Sequence, residues 1–332
     1  MSRIGITTTV PIEVILAAGH TPVDLNNLFV NDPDPSRLLA RAERHGFPLN
    51  CCTWIKGIFA AALEYGIDQV ITVVSGDCSN TLMLKEVWEA TGVKTIPLAY
   101  PQEPNEEAMA GVVNDFAVRL GTTPAAAEEM RGQLADIRAL AAEFDMLTYK
   151  VNVITGAENH YWLVSSSDFN QNWRKFTIEL QSVITEAGKR QPFKDRLRLG
   201  FIGVPSVFAA DFYAFTERFG GRVVFNETQR QFAMTSPADS LEQAYTKFTY
   251  PYSLGYRLAD IKEEIMRREI DGVIHYVQAF CHRSIGDIIV KRELNVPVLA
   301  LEGGSSIKLT QHQKTRIEAF LDVVEFRKAR LI

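Results

Sequence analysis

Two kinds of apolar pattern alternate along this chain. Short β-branched runs, of which residues 69–74 (QVITVV) are the clearest, have the unbroken apolar character of strands buried on both faces. Longer stretches between them carry apolar residues at helical spacing. The first block reads as a strand over 3–9, a helix over 11–18 closed by Gly19, and an apolar stretch at 22–25. The loop NDPDPS at 31–36 offers an N-cap for a helix over 37–45, and a turn at 46–50 leads into a helix over 53–65. After the strand at 69–74 come SGDCSN, a helix over 81–90, an apolar stretch at 95–99 and a proline-rich turn at 100–105. Residues 123–144, rich in Ala, Glu, Leu and Arg, and residues 171–187 read as helices.

The rhythm then repeats, with strands at 197–203, 222–225, 272–276 and 297–301 and helices at 207–219, 256–268, 284–294 and 311–324. Strands and helices alternating in this way predict parallel sheets covered on both faces. The expected fold class is α/β, with two doubly wound parallel-sheet lobes and a helical connector. The lobes are expected over 1–120 and 191–332 and the connector over 121–190, and 332 residues suit two cores better than one. Inside the connector, GAENHYWLVSSSDF (156–169) crowds polar and aromatic groups that fit no simple amphipathic face, and it reads as a candidate functional loop.

Composition narrows the function classes. The chain is 46% hydrophobic and 23% charged, and no stretch approaches the roughly 18 apolar residues that span a bilayer, so no membrane role is expected. With a net charge of -5 and no dense Lys/Arg cluster, nucleic acid is not the expected partner. The opening MSRIGITTTVPIEV lacks the charged start and apolar run of a secretory signal, which predicts a cytoplasmic location. Thiols stay reduced there.

The four cysteines, Cys51, Cys52, Cys78 and Cys281, suit neither a disulfide framework nor zinc-finger spacing. Cys78 and Cys281 fall just past predicted strands and Cys52 opens a predicted helix, which is where open parallel sheets bind ligands. Helix starts favour the thiolate that binds iron or attacks an electrophile. Three thiolates from two lobes are one short of the four that close a cubane, leaving one iron open to water or substrate. Three other readings stand beside this one. The cysteines are buried small hydrophobes; or zinc is held by Cys and His, with His282 beside Cys281 and His45 before Cys52; or one cysteine is a nucleophile, for which no Cys/His/Asn signature is evident.

At these residues the sequence resembles the 2-hydroxyacyl-CoA dehydratase family, which includes the cluster-bearing subunits of ATP-dependent benzoyl-CoA reductases. VPIEVILAAGHTPVDL (10–25) is similar to the family's opening element, and Cys52 with Lys56 in CTWIK to its cysteine followed by a basic residue. Cys78 in DQVITVVSGDCSNT and Cys281 in VIHYVQAFCHRS occupy the places of the second and third cluster cysteines. NVPVLALEGG and TRIEAFLDV resemble the closing segment, with Thr315, Arg316 and Phe320 matching, although Gly304 stands where many members carry an acidic residue.

The resemblance implies flavodoxin-like lobes around one 4Fe-4S cluster per chain, held by Cys52, Cys78 and Cys281. Cys51 is then a neighbouring thiol or alternative ligand. Four cysteines are too few for a fused double cubane within one chain. It further implies a homodimer or a paralogous partner subunit, an ATP-dependent iron–sulfur activator ATPase that delivers the electron, and an acyl-CoA-like substrate. In the dehydratases a single reducing electron makes a ketyl radical of the thioester carbonyl, which expels the 2-hydroxyl; in the reductases the electron stays in the product.

Around such a cluster, Ser75, Gly76 and Asp77 would shape the loop beside Cys78, and Lys56, one helical turn past Cys52, would offset negative charge. His160, with Glu158 and Asn159 beside it, is a candidate acid or base, and Glu302 a candidate cleft carboxylate. A structural histidine, a surface lysine and solvated carboxylates are the plainer readings of the same residues.

Overall fold

The computed structural model describes residues 2–194 and 197–330. The first sheet contains β1 (Arg3–Ile6), β2 (Thr21–Asp24), β3 (Gln69–Ser75) and β4 (Lys94–Ala99), all parallel, in the order β2-β1-β3-β4. The second contains β5 (Leu197–Gly203), β6 (Gly221–Asn226), β7 (Gly272–Gln278) and β8 (Val298–Gly303), also parallel, in the equivalent order β6-β5-β7-β8. Two α/β lobes of parallel sheet, joined by helices, are therefore present as the alternation of patterns predicts.

The strands other than the edge strands β4 and β8 are buried on both faces, which explains why they read as apolar runs rather than as alternating ones. In β3, Ile71 and Val73 join one buried cluster and Val70 joins another; in β7, Ile274 and Tyr276 face one way and Val273 the other.

The helices of the middle segment, Glu106–Leu120, Pro124–Gln133, Ala135–Met146, Gly156–Ser165 and Trp173–Ala187, lie over the first sheet. Met109, Phe116, Phe144, Leu163 and Phe176 share one core with Ile4 and Ile6. That core also takes Phe232, Tyr245, Phe248 and Tyr250 from between β6 and β7, so the lobes interlock. A buried ion network reinforces the junction: Arg268 reaches Asp145 of the middle segment through two nitrogens (3.0 and 2.5 Å), Glu264 through Nε (2.5 Å) and the Val224 carbonyl (2.8 Å).

Two features escape the sequence pattern. Helix Glu227–Ala233 is buried at every position although Glu227 to Gln231 are all polar, so it has no apolar stripe to give it a period. Residues 156–165 form a helix rather than a loop, started by a capping box in which Thr155 and Glu158 bond each other's backbone N–H. Its residues Ala157, His160, Tyr161 and Val164 recur at helical spacing, but the face they make looks into a cavity and not into a core.

Candidate functional site

In both lobes the first strand is flanked by the second on one side and the third on the other, so the loops leaving β1 and β3, and those leaving β5 and β7, flank a switch point where ligands collect. The two sets of loops meet around one cavity of about 590 Å³. Thr7 and Thr8 follow β1, Asp77 and Cys78 follow β3, Val204 to Val207 follow β5, and Gln278 with Cys281 close β7. The turns that aim these loops need glycine. Gly203 has φ +105°, and an added Cβ would stand 2.1 Å from the Tyr276 carbonyl oxygen; Gly76 has φ +94°, with Tyr100 and Pro251 in the way. Two bonds fasten the lobes at the cavity edge, from Thr53 Oγ1 to the Gly304 carbonyl (2.8 Å) and from Trp54 Nε1 to the Pro205 carbonyl (3.1 Å).

Cys52, Cys78 and Cys281 all line this cavity, whereas Cys51 does not. All four thiols are free and half-buried. Cys52 is the N-cap of helix Thr53–Glu64, and Cys78 stands two residues before helix Asn80–Ala90. Burial pushes the Cys52 thiol up to about 11, against the backbone N–H groups of Ile55 and Trp54, and the neighbouring Cys281 and Cys51 push the same way. Cys78 is pushed up to about 12 by burial and by Asp77, with Cys52 and Cys281 adding to it. Helix starts thus offer N–H groups to the sulfurs as expected, but burial outweighs them and keeps both thiols protonated at neutral pH.

Among the described residues no three His, Cys, Asp or Glu side chains are gathered tightly enough for a single metal ion. A cubane asks for a wider set, because each thiolate meets a different iron. Three thiols around one cavity that sense one another's charge, with N–H donors at two of them, fit such a group.

The other candidates are placed as follows. Lys56 is fully buried, and its Nζ bonds Glu43 (2.8 Å) and the Leu49 carbonyl (3.0 Å), bracing the turn that carries Cys51 and Cys52. Ser75 Oγ reaches the Tyr100 carbonyl at 3.5 Å, and Gly76 supplies the turn behind Asp77. Glu158 lies outside the cavity wall, occupied by its cap and by Arg190 (2.8 Å); burial pushes its carboxyl up, but Arg190 and Thr155 outweigh burial and hold it below its ordinary value. Glu302 is exposed on β8 and does not line the cavity, although its carbonyl anchors Gln313 (2.8 Å). The structure therefore brings His160 to the cysteines' cavity and leaves the two glutamates out of it.

Burial lowers His160 to about 4, so its ring is neutral at pH 7. Its Nδ1 lies 2.7 Å from Gln229 Nε2 and 3.1 Å from the Tyr213 oxygen, and Tyr213 donates its own proton to Asn226 Oδ1 (2.6 Å), so Nδ1 is the anchored side of the ring.

Sequence reasoning missed a second polar cluster on the wall. Asp24 ends β2 and caps helix Leu25–Val30, accepting from Asn26 N (2.8 Å) and Ser167 Oγ, while its own N–H donates to Asp168 Oδ2 (2.8 Å). The motif DLNN marked the cap, but nothing near it in the chain signalled Asp168. Burial and then the charge of Asp24 push Asp168 up to about 8, and burial raises Asp24 as well.

Because the folded Asp168 holds its proton above the ordinary value of 3.8, its contribution to stability is full below that pH and is lost as pH rises through about 8. Asp24→Asn keeps its oxygen as acceptor for Asn26, turns its amide nitrogen to donate to Ser167 Oγ, and removes the charge next to Asp168. Native stability measured by urea unfolding is therefore expected to fall relative to that of Asp24→Asn between pH 5 and 8, by about 1–3 kcal/mol. A constant difference across that range would show that the pair does not share a retained proton.

Paired parallel-sheet lobes, closing on one cavity with thiols from both sides, define an α/β protein in which two switch points face each other. The family model described as 2-hydroxyglutaryl-CoA dehydratase, D-component, matches residues 7–324, and the chain belongs to that family. Membership supports a catalytic role of the dehydratase or reductase type. No curated protein matches the chain. Among the described residues no helix is long and apolar enough to cross a membrane.

Proposed function

We propose that this chain holds one 4Fe-4S cluster through Cys52, Cys78 and Cys281 and carries out radical dehydration or reduction of an activated, acyl-CoA-like substrate. The electron comes from an ATP-dependent iron–sulfur activator, and the working unit is a homodimer or a pair with a paralogous subunit. The observation that carries this reading is the convergence of three thiols, two from the first lobe and one from the second, on a cavity large enough for an acyl group. Three protein ligands leave one iron open, and the bound cluster supplies a low-potential electron together with that Lewis-acidic position.

The chain's own residues do the rest. Trp54, Ile55 and Ile58 make an apolar wall beside the cysteines that excludes water from the reacting carbon. His160, neutral and held through Nδ1 by Tyr213 and Gln229, is the group on this wall for proton exchange with substrate. Lys56 holds the Cys51–Cys52 turn in place from beneath, close enough to favour negative charge at Cys51. A cavity of this size beside the thiols favours an enzyme over a subunit that only relays electrons.

The test is iron and sulfide analysis with electron paramagnetic resonance on protein purified without oxygen. About four irons per chain and the signal of a reduced cubane are expected. Absence of iron, after reconstitution as well, would remove the cluster and leave a cleft-binding α/β protein.

A further inference from the structure

The charges on the cavity wall are unevenly distributed. Four aspartates, Asp24, Asp32, Asp77 and Asp211, border it, while Arg283 and Lys308 are its only lysine or arginine residues among the described ones. Arg283 stands two residues from Cys281 and is already engaged, lying over the Tyr250 ring (4.3 Å) and bonding the Tyr250 carbonyl (3.3 Å). Lys308 is exposed at the edge.

The first lobe also contributes to this wall a patch of neutral amides and hydroxyls around Asp24. Asn26 Nδ2 bonds the Thr7 carbonyl (2.9 Å), Asn27 Nδ2 bonds Ser167 Oγ (3.2 Å), and Thr8 and Ser165 line the same cavity. Thr8 Oγ1 and Ser165 Oγ are buried and have no partner within the protein. Native proteins rarely leave such groups unpaired without a ligand or solvent to meet them.

We infer that this patch receives the far end of the substrate's acyl chain and selects a neutral hydrogen-bonding group, such as an amide or hydroxyl, over a carboxylate. The inference rests on the acyl-CoA reading above and narrows it. A carboxylate brought there would be desolvated beside Asp24 with no cation to receive it. The sign holds in either protonation state of Asp24: ionised, it repels a carboxylate, and protonated, it offers one hydrogen bond and no charge. A neutral amide meets acceptors and donors together, and a site built to hydrogen-bond discriminates strongly against a tail that cannot match it.

The test compares two thioesters of equal size, glutaryl-CoA and its terminal amide, glutaramyl-CoA, by calorimetric titration into the anaerobically purified native protein without reductant. The amide is expected to bind at least about tenfold more tightly. In Ser165→Ala, which removes one unpaired hydroxyl, that ratio is expected to shrink by about threefold or more with the melting temperature unchanged. Equal affinities in the native protein, or tighter binding of glutaryl-CoA, would overturn the inference while leaving the acyl-CoA reading intact. Binding of neither thioester would reject the acyl-CoA reading itself, and this inference with it.

Discussion

Cys52→Ala, Cys78→Ala and Cys281→Ala are each expected to lower iron from about four per chain to near zero and to abolish turnover, while Cys51→Ala keeps most of both. A cubane left with two protein ligands exposes two irons and is lost, so the effect of a single substitution is close to complete. The fold is expected to survive, because all three side chains are only half-buried at a cavity wall, where removing a sulfur opens no sealed void. Far-ultraviolet dichroism and melting curves of the iron-free proteins check that survival. If Cys51→Ala alone removed the iron, the ligand would be Cys51 and the turn braced by Lys56 would have to present the other sulfur.

The second large effect concerns stability. Arg268→Leu is expected to destabilise the protein by about 3–5 kcal/mol, because it leaves Asp145 and Glu264 buried without their common cation. Asp145 is held below its ordinary value; burial works against this, and Arg268 more than makes up for it. Without the guanidinium, burial is opposed only by Arg230 and the Asn159 hydrogen bond, so the variant is expected to recover part of the loss at low pH, where Asp145 can be protonated. Urea unfolding at pH 7.5 and pH 5 measures both terms; a loss below about 1 kcal/mol at pH 7.5 would mean that water reaches the network.

Legibility from sequence followed the local physics. Both sheets were readable because strands buried on both faces leave unbroken apolar runs, as in QVITVV, and because each strand stops where its loop turns toward the cavity. The positions of Cys78 and Cys281, just past β3 and β7, followed from the same rule. His160 was picked out for its crowded surroundings, and the structure gives the reason for the crowding: one face of its helix lines a cavity.

Glu158 was misleading because a capping glutamate and a catalytic one look alike until the partner, here Thr155, is seen to close the box. Helix Glu227–Ala233 was invisible because its buried residues Glu227 to Gln231 are all polar and leave no apolar stripe to read. The Asp24–Asp168 pair could not be read at all, since its members lie 144 residues apart and meet only in the finished fold.

That last point extends to the order in which the molecule is made. Each sheet is built from strand–helix–strand units that lie together in the chain, and domains generally fold in sequence, although the core over the first sheet is complete only once Phe232 to Tyr250 pack against it. The cavity has no such local origin, since its wall draws on segments from Thr7 to Lys308. During synthesis the first lobe must therefore wait with Cys51, Cys52 and Cys78 in place until Cys281 arrives on the second. A nascent chain passes through a stage in which a thiol-bearing half-site faces solvent, and the complete site comes into being only when the lobes dock, as the last product of folding.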